Sequence, residues 1–223
     1  MITYVIVLGG GSGTRMGADQ NKVFLPLRGV PAIIRALAPF TALCAGAVVV
    51  ARDSELAVMR DMLRRFGLQG FTRAVVPGGE DRQASVAAGL AALPADAEAV
   101  LIHDGARALV TEAIIRRVME SVTQVGSGVA AIPVTDTIKR AEPSGMVVNT
   151  LNRDGLFAMQ TPQGFRIKEI VAAHERALRD GFRATDDAAL LEYAGLPVYL
   201  CEGSRENIKL TTGFDLRLAE LIL

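Results

Sequence analysis

Short apolar segments rich in β-branched residues alternate with segments of helical periodicity along most of this chain. Segments of strand length lie at 3–8, 47–51, 72–76, 98–103 and 128–134. Helical segments lie between them at 31–43, 54–66, 84–93 and 111–124, with Ser54 and Thr111 as predicted N-caps of the second and fourth. This alternation predicts an α/β fold, a mostly parallel, Rossmann-like sheet with helices on both faces. Ligands of such sheets bind at the carboxyl ends of the strands.

The alternation stops after the fifth predicted strand. Residues 135–142 and 146–151 have the pattern of two strands around the turn Pro143-Ser144-Gly145, which predicts a β-hairpin. Isolated hairpins are marginally stable, and no nearby apolar segment is long enough to cover this one. We therefore expect an arm at about residues 135–155 that packs against a second copy of the chain.

The remainder of the chain returns to helical and strand patterns without an intervening linker. We predict helices at 167–180, 185–194 and 213–222, and a strand at 197–201. We expect residues 1–223 to form one domain from which the arm projects.

The first predicted strand runs into a glycine-rich loop that carries basic side chains. The loop sequence is Gly9-Gly10-Gly11-Ser12-Gly13-Thr14-Arg15-Met16-Gly17, and Lys22 follows it. Glycine lets backbone N–H groups turn toward phosphate oxygens, and Arg15 and Lys22 add two positive charges. We interpret this loop as a binding site for the phosphates of a nucleotide triphosphate; an ordinary glycine-rich surface loop is the alternative.

Two familiar phosphate-binding motifs do not fit this loop. The P-loop requires a Gly-Lys pair, and the chain contains no such pair. The dinucleotide fingerprint requires a glycine where Thr14 and Met16 stand. The remaining pattern resembles the signature of sugar-nucleotide pyrophosphorylases and related nucleotidyltransferases.

The composition of the chain argues against binding to nucleic acid or to a membrane. The chain has 24 basic and 24 acidic residues, so it lacks the basic excess of a nucleic-acid-binding protein. No apolar run reaches the length of a membrane span, and the N-terminal residues lack the basic region of a signal peptide. We therefore expect a cytoplasmic protein that binds neither nucleic acid nor membrane.

Further candidate residues lie at the ends of the predicted strands. Asp104, in the segment His103-Asp104-Gly105-Ala106-Arg107, is placed to contact Mg²⁺ bound to phosphates; alternatively it caps the turn and pairs with Arg107. The loop at 77–85 reads by itself as an ordinary loop and N-cap. Lys209 lies between apolar residues, and it either binds a second anion or forms a structural ion pair.

Eight motifs in one order resemble those of the 2-C-methyl-D-erythritol 4-phosphate cytidylyltransferases. They run from the first strand to the last helix: Gly11-Ser12-Gly13-Thr14-Arg15-Met16 with Lys22, Gly78-Gly79 with Arg82 and Ser85, His103-Asp104-Gly105-Ala106-Arg107, Asp136-Thr137-Ile138-Lys139, Asn152-Arg153, Gln160-Thr161-Pro162-Gln163, Thr185-Asp186-Asp187-Ala188, and Glu202-Gly203 with Asn207-Ile208-Lys209-Thr211. The resemblance implies transfer of a cytidylyl group from CTP to methylerythritol phosphate with release of pyrophosphate. It also implies Mg²⁺ or another divalent cation, and a homodimer whose arms cross between subunits.

The resemblance also assigns roles position by position. The implied catalytic residues are Arg15, Lys22, Arg153 and Lys209. The implied nucleotide-binding residues are Gly10, Gly11, Gly13, Thr14, Gly79, Glu80, Arg82, Ser85 and Asp104, with Asp104 also the metal ligand. The implied polyol-phosphate-binding residues are Arg107, Thr137, Arg153 and Lys209, of which Thr137 and Arg153 come from the partner's arm.

The chain departs from the family's usual pattern at a few positions. Gly9-Gly10 replaces an Ala-Ala pair, Gly105 replaces an alanine, and Ala108 replaces a proline. Three other functions remain open: a cytidylyltransferase for ribitol 5-phosphate or another polyol phosphate, a pyrophosphorylase with another nucleotide, and a nucleotide-binding module without catalysis.

Overall fold

The computed structural model describes residues 1–10 and 21–223. In these residues the strands are β1 (Thr3–Leu8), β2 (Pro26–Leu27), β3 (Val30–Pro31), β4 (Gly46–Ala51), β5 (Thr72–Pro77), β6 (Ala99–Asp104), β7 (Ser127–Pro133), β8 (Lys139–Ala141), β9 (Val147–Thr150), β10 (Phe157–Arg166) and β11 (Leu200–Glu202). The helices are α1 (Ala32–Leu37), α2 (Leu56–Arg65), α3 (Arg82–Ala91), α4 (Glu112–Val125), α5 (Ile167–Asp180), α6 (Asp187–Tyr193) and α7 (Gly213–Ile222).

Seven of the described strands form the central sheet, in the order β11-β7-β10-β6-β1-β4-β5. Strand β1 pairs in parallel with β4 and β6, and β4 with β5. Strand β10 runs antiparallel to both of its neighbours, β6 and β7. The predicted mostly parallel sheet is therefore confirmed, with one antiparallel strand that the sequence pattern did not indicate.

Helices cover both faces of the sheet, as predicted. Val5 and Val7 of β1 point to a core shared with α1, α2 and α4, whereas Ile6 points to a core shared with α3, α5 and α6. This separation follows from the two-residue period of a strand, and all three side chains are fully buried. A strand buried on both faces requires the near-continuous apolar sequence that β1 has.

The starts of the helices depend on side-chain caps that the sequence only partly indicates. Asp81, Asp186 and Thr212 accept hydrogen bonds from backbone N–H groups of α3, α6 and α7. The predicted cap Ser54 is wrong, because a 3₁₀ turn at Asp53–Glu55 precedes α2. Thr111 occupies the N-cap position of α4 but makes no capping hydrogen bond through its side chain.

Strands β8 and β9 form the predicted hairpin and stand away from the rest of the chain. The backbone N–H of Val134 donates to the carbonyl of Leu156 at 3.0 Å and closes the base of the arm. Every residue of both strands is exposed, including Val147 and Val148, which are each 55 % exposed. The valine side chains of this hairpin therefore remain more than half exposed within one chain.

None of the helices in the described part of the chain combines the length and apolar composition needed to cross a membrane.

Candidate active site

A cleft of about 360 Å³ lies at the carboxyl edge of the sheet, a volume within the range of small-ligand sites. The loops after β1, β5 and β6 and the turn that carries Lys209 all reach it. The predicted site residues that line it are Gly10, Lys22, Gly79, Glu80, Arg82, Ser85, Asp104 and Lys209. Three loops that follow predicted strands therefore meet at this edge of the sheet.

Asn21 holds the two described ends of the glycine-rich loop together. Its side-chain Nδ2 donates to the carbonyl of Gly9 at 2.6 Å and to Oε2 of Glu55 at 2.8 Å. Its Oδ1 accepts from the N–H of Val23 and so begins the 3₁₀ turn that presents Lys22 to the cleft. Asn21 was not predicted from the sequence, although asparagine is among the residues preferred at an N-cap. The predicted residues Gly11, Gly13, Thr14 and Arg15 lie outside the described residues.

Asp104 lies between two basic side chains. Its Oδ2 is 2.7 Å from the ammonium of Lys209, and its Oδ1 is 3.8 Å from Nε of Arg82. Burial by itself would raise the pKa of the carboxyl, but Lys209, Arg82 and Arg107 outweigh burial and lower the pKa to about 2. Asp104 is therefore a carboxylate throughout the physiological range.

A buried asparagine places Lys209. Nδ2 of Asn207 donates to the carbonyl of Thr161 at 2.9 Å and to Oε1 of Gln160 at 3.3 Å, and the residue is fully buried. The N–H of Leu210 donates to the carbonyl of Ala106 at 2.8 Å. These bonds fix the turn on both sides of Lys209, so the ammonium meets Asp104 without depending on a flexible loop.

Arg82 is held by a second, fully buried carboxylate. Its Nη2 is 2.6 Å from Oδ2 of Asp187, and the backbone N–H groups of Asp187 and Ala188 both donate to Oε1 of Gln163 at 3.1 Å. Charges of opposite sign therefore alternate along Lys209, Asp104, Arg82 and Asp187. Asp187 belongs to one of the eight motifs shared with the family, Thr185-Asp186-Asp187-Ala188, but the sequence had assigned no role to it.

Ser85 and Gly79 shape the loop before α3. The Ser85 hydroxyl donates to the carbonyl of Asp81 at 2.8 Å and accepts from the N–H of Gly79 at 3.2 Å. A Cβ at position 79 would overlap the side chain of Ala84, so the close approach requires glycine. Contact of either residue with a nucleotide stays a prediction.

Three of the predicted substrate-binding residues lie outside the cleft of a single chain. Thr137 and Arg153 lie on the exposed arm, where Arg153 donates to the carbonyl of Thr135. Arg107 donates through Nη1 to the carbonyl of Asn207 at 2.6 Å and through Nη2 to that of Met159 at 3.3 Å. It forms no ion pair with Asp104 in the described structure, so the alternative pairing of these two side chains is wrong.

The residues around Asp104 offer little to a resident metal ion. No group of three or more His, Cys, Asp or Glu side chains suited to a metal occurs among residues 1–10 and 21–223. Asp104 contributes one carboxylate, and Lys209 already occupies its Oδ2. This donor set fits a divalent cation that nucleotide phosphates chiefly hold, and Asp104 is the side chain that would contact it.

Both histidines of the chain are buried and neutral at physiological pH. His103 contacts the Thr161 hydroxyl through Nδ1 at 2.9 Å and the carbonyl of Arg107 through Nε2 at 3.2 Å. Burial lowers the pKa of His103 to about 4. Burial and the charge of Arg82 lower the pKa of His174 to about 4 as well.

Because both histidines have lowered pKa values, the free energy of unfolding is expected to fall as the pH is lowered. Between pH 6.5 and 4 the unfolded chain binds more protons than the folded chain, so the stability they provide is complete above pH 6.5 and is lost as pH falls. The slope should approach about 1.4 kcal/mol per pH unit for each histidine. Urea denaturation at pH 7, 6 and 5 measures it, and His174→Gln should halve the slope. An unchanged slope in that variant would contradict the assignment.

The departures from the family pattern have different structural reasons. At Gly10, a Cβ would have no neighbour closer than 3.6 Å, so alanine would fit there. At Gly9, a Cβ would lie 3.1 Å from Cε of Met59, a flexible side chain. At Gly105, a Cβ would overlap Cδ1 of Ile33 and lie 2.9 Å from the carbonyl oxygen of Leu8. Gly105 is therefore matched to the packing of this chain.

Gly105→Ala is expected to lower the free energy of unfolding by about 1–3 kcal/mol, the usual cost of overpacking a core. Ile33→Val removes the Cδ1 that the new methyl group would meet. The double variant should therefore lose less free energy of unfolding than the sum of the losses of the two single variants. Chemical denaturation measures all three. Strict additivity would mean that Ile33 is not the obstacle.

Comparisons with known proteins agree over the whole chain. A model of the IspD family, described as 2-C-methyl-D-erythritol 4-phosphate cytidylyltransferase, matches residues 3–223. Enzymes of that name from Geobacillus kaustophilus and Thermosynechococcus vestitus are 45 % and 43 % identical to this chain, over 98 % and 99 % of it and 95 % and 94 % of their own lengths. The crystal structure of the Thermus thermophilus protein of that name superposes with a TM-score of 0.81 at 33 % identity, covering 100 % of this chain and 98 % of that one. The chain therefore belongs to the IspD family of cytidylyltransferases.

Proposed function

We propose that this chain, in the cytoplasm, transfers the cytidylyl group of CTP to 2-C-methyl-D-erythritol 4-phosphate. The products are 4-diphosphocytidyl-2-C-methyl-D-erythritol and pyrophosphate, a step of non-mevalonate isoprenoid biosynthesis. The family match over residues 3–223 carries this proposal. The cleft supports it, because Lys22 and Lys209 line one site at the carboxyl edge of the sheet, where two anionic substrates would meet.

The reaction is an in-line displacement at the α-phosphorus of CTP. A phosphate oxygen of methylerythritol phosphate forms the new P–O bond, and the bond to pyrophosphate breaks, with the electron pair leaving on pyrophosphate. The attacking oxygen is already anionic near neutral pH, so no general base is required. Catalysis consists of holding two mutually repelling anions in line and neutralising the charge on the phosphates.

The basic side chains divide this work in the proposal. Lys22 and Arg15 hold the phosphates of CTP. Lys209, whose ammonium is ion-paired with Asp104, holds the incoming phosphate. A divalent cation bound with CTP would supply further positive charge to the phosphates. Asp104 is the residue that would hold this cation.

A homodimer completes the site in this proposal. The arm is exposed along both strands, and Met146, Val147 and Val148 are each more than half exposed. Covering these side chains with a second copy would stabilise the arm. It would also carry Thr137 and Arg153 to the partner's cleft, which neither residue lines within its own chain.

Mixed dimers test the exchange of arms. We expect Arg153→Ala and Lys209→Ala each to retain only a small residual activity as homodimers. In a heterodimer purified through two different tags, one site combines an intact Lys209 with an intact arm. Activity should therefore return to about half of the wild-type value per dimer. A heterodimer as inactive as its parents would place the arm's residues at the site of their own chain.

Pyrophosphate release tests the reaction itself. Purified protein with Mg²⁺ and CTP is compared on methylerythritol phosphate and ribitol 5-phosphate, and UTP then replaces CTP. Release only with CTP and methylerythritol phosphate supports the proposal. Release with ribitol 5-phosphate instead would keep the chemistry and change the substrate, whereas no release with any pair would favour a nucleotide-binding module.

A further inference from the structure

A second cavity, of about 440 Å³, lies behind the nucleotide cleft, between α3, α5 and the segment at 181–183. Most of its wall is apolar, and the side chains that matter here are Ala84, Ala87, Leu90, Val171, Leu178 and Phe182. This volume is within the range of sites that enclose small organic ligands. Of the described residues, none of those proposed above for methylerythritol phosphate or for the phosphates of CTP lines this cavity.

Hydrogen bonds and an ion pair hold the wall of this cavity in place. The side chain of Gln83 donates to the carbonyl of Phe182 at 3.3 Å and accepts from the N–H of Ala184 at 3.1 Å. Arg183 forms an ion pair with Asp81 at 2.9 Å. The ring of Phe182 stacks on Tyr193 with centroids 4.0 Å apart. The cavity is therefore preformed, which lowers the entropic cost of ligand binding.

The charges on the cavity wall favour a cation. Glu80 and Glu175 are exposed at the cavity and form no ion pair or hydrogen bond within the described residues. The charges of Asp81 and Arg183 cancel in their ion pair. His174, whose pKa lies at about 4, adds no positive charge at neutral pH, so the wall carries an excess of two negative charges.

The cavity and the nucleotide cleft share a wall. Glu80 and Asp81 line both spaces. Asp81 also caps α3, because its Oδ1 accepts from the N–H of Ala84 at 2.8 Å, and Arg82 follows it in the chain. A ligand that shifts Asp81 therefore acts directly on the loop that borders the nucleotide.

We propose that this cavity binds a small organic cation with an apolar body, and that its occupation changes the affinity of the cleft for CTP. The apolar body lies between α3 and α5, and the cationic group is directed toward Glu80 and Glu175. This inference goes beyond the transfer reaction, and binding can be measured without turnover.

Tryptamine is a suitable probe, because the chain contains no tryptophan to obscure the fluorescence of its indole ring. Tryptophol and indoleacetic acid are the matched neutral and anionic probes. Fluorescence anisotropy should show tryptamine binding about fivefold more tightly than tryptophol, as expected for one partly exposed charge pair. Indoleacetic acid should bind more weakly than both.

Two variants test whether tryptamine binds in the cavity, and a third controls for the loss of a carboxylate elsewhere. Ala87→Phe fills the cavity from an exposed helix position and should weaken tryptamine binding by at least about tenfold. Glu175→Gln should weaken it about threefold. Glu120→Gln removes an exposed carboxylate from α4, away from the cavity, and should leave binding unchanged. Thermal unfolding confirms that each variant is folded.

Coupling is tested by linkage. Saturating tryptamine should change the dissociation constant of CTP at least about twofold, and CTP should change that of tryptamine by the same factor. Equal binding of tryptamine and tryptophol, undiminished binding to Ala87→Phe, or no saturable binding would overturn the proposed site. An unchanged CTP dissociation constant would overturn the coupling.

Discussion

Lys209→Ala is expected to lower kcat/KM for the polyol phosphate by on the order of 100-fold, by analogy with the loss of one charge-stabilising donor. The ammonium lies in the cleft at 2.7 Å from Asp104. Its loss removes one cation from the place where two anions meet. It also leaves the charge of Asp104 facing the incoming phosphate, with the more distant Arg82 as its remaining ion-pair partner in the described structure. Both consequences raise the barrier.

Steady-state pyrophosphate release measures this loss, and Lys168→Ala is the matched control. Lys168 is an exposed lysine on α5 that does not line the cleft, so its removal changes net charge equally without touching the site. Lys209→Arg should retain part of the activity because it keeps the charge. The pKa of Asp104 should also rise in Lys209→Ala, since Lys209 is the strongest of the interactions that lower it. Activity of Lys209→Ala near the wild-type value would remove this residue from the catalytic group.

The elements that the sequence predicted best are those whose local signals agree with their surroundings. The predicted bounds of β1, α5 and α7 match the structure residue for residue. Helix α5 ends where Gly181 adopts a positive φ of 65°, a conformation that glycine favours. The predicted helix at 31–43 instead changes to a 3₁₀ turn at Ala38–Phe40, because Pro39 lacks a backbone N–H for a longer helix.

Strand β10 was missed for a different reason. Its buried half contains Gln160, Thr161 and Gln163, so it does not read as an apolar run. These side chains are buried because they bond to Ser204, Asp104 and Asp186, partners that lie 23 to 57 residues away in the chain. A polar strand of this kind can be located only once its partners are in place.

In the candidate site, too, some residues could be predicted from local sequence and others depend on distant partners. The strand-edge rule placed Lys22 and Asp104 at one edge of the sheet, because position along a strand is a local property, whereas the role of Lys209 came from the resemblance. Asn21 and Asp187 were not identified, since their function is to hold other residues. The bond from Asp187 to Arg82 spans 105 positions of the chain. Sequence patterns indicate residues that face a ligand more readily than residues that position them.

Asp187→Ala is expected to lower the free energy of unfolding by about 3–5 kcal/mol, the usual cost of removing one partner from a buried ion pair. Asp187 is fully buried, and its Oδ2 is 2.6 Å from Arg82. The variant leaves the guanidinium with Asp104 as its remaining ion-pair partner in the described structure. Activity should fall as well, because Arg82 lines the nucleotide cleft.

Asp186→Ala is the matched control at the neighbouring position. The Asp186 side chain caps α6 and accepts from Gln163, but it forms no ion pair with Arg82. Its removal should cost about 1 kcal/mol, the usual value for an N-cap. Urea denaturation of both variants under one set of conditions gives the comparison. Equal losses would show that the buried charge of Asp187 is not what distinguishes it.

A double replacement separates stability from catalysis. Arg82→Met combined with Asp187→Leu removes both charges and leaves neither partner unpaired, so stability should recover by at least about 2 kcal/mol relative to Asp187→Ala. Activity should not recover, because Asp104 then lacks the guanidinium beside its Oδ1 and the cleft lacks one cation. A stable double variant with wild-type kcat/KM would mean that the pair only supports the fold. A stable but inactive one would show that the reaction needs Arg82 itself, apart from the contribution of the pair to stability.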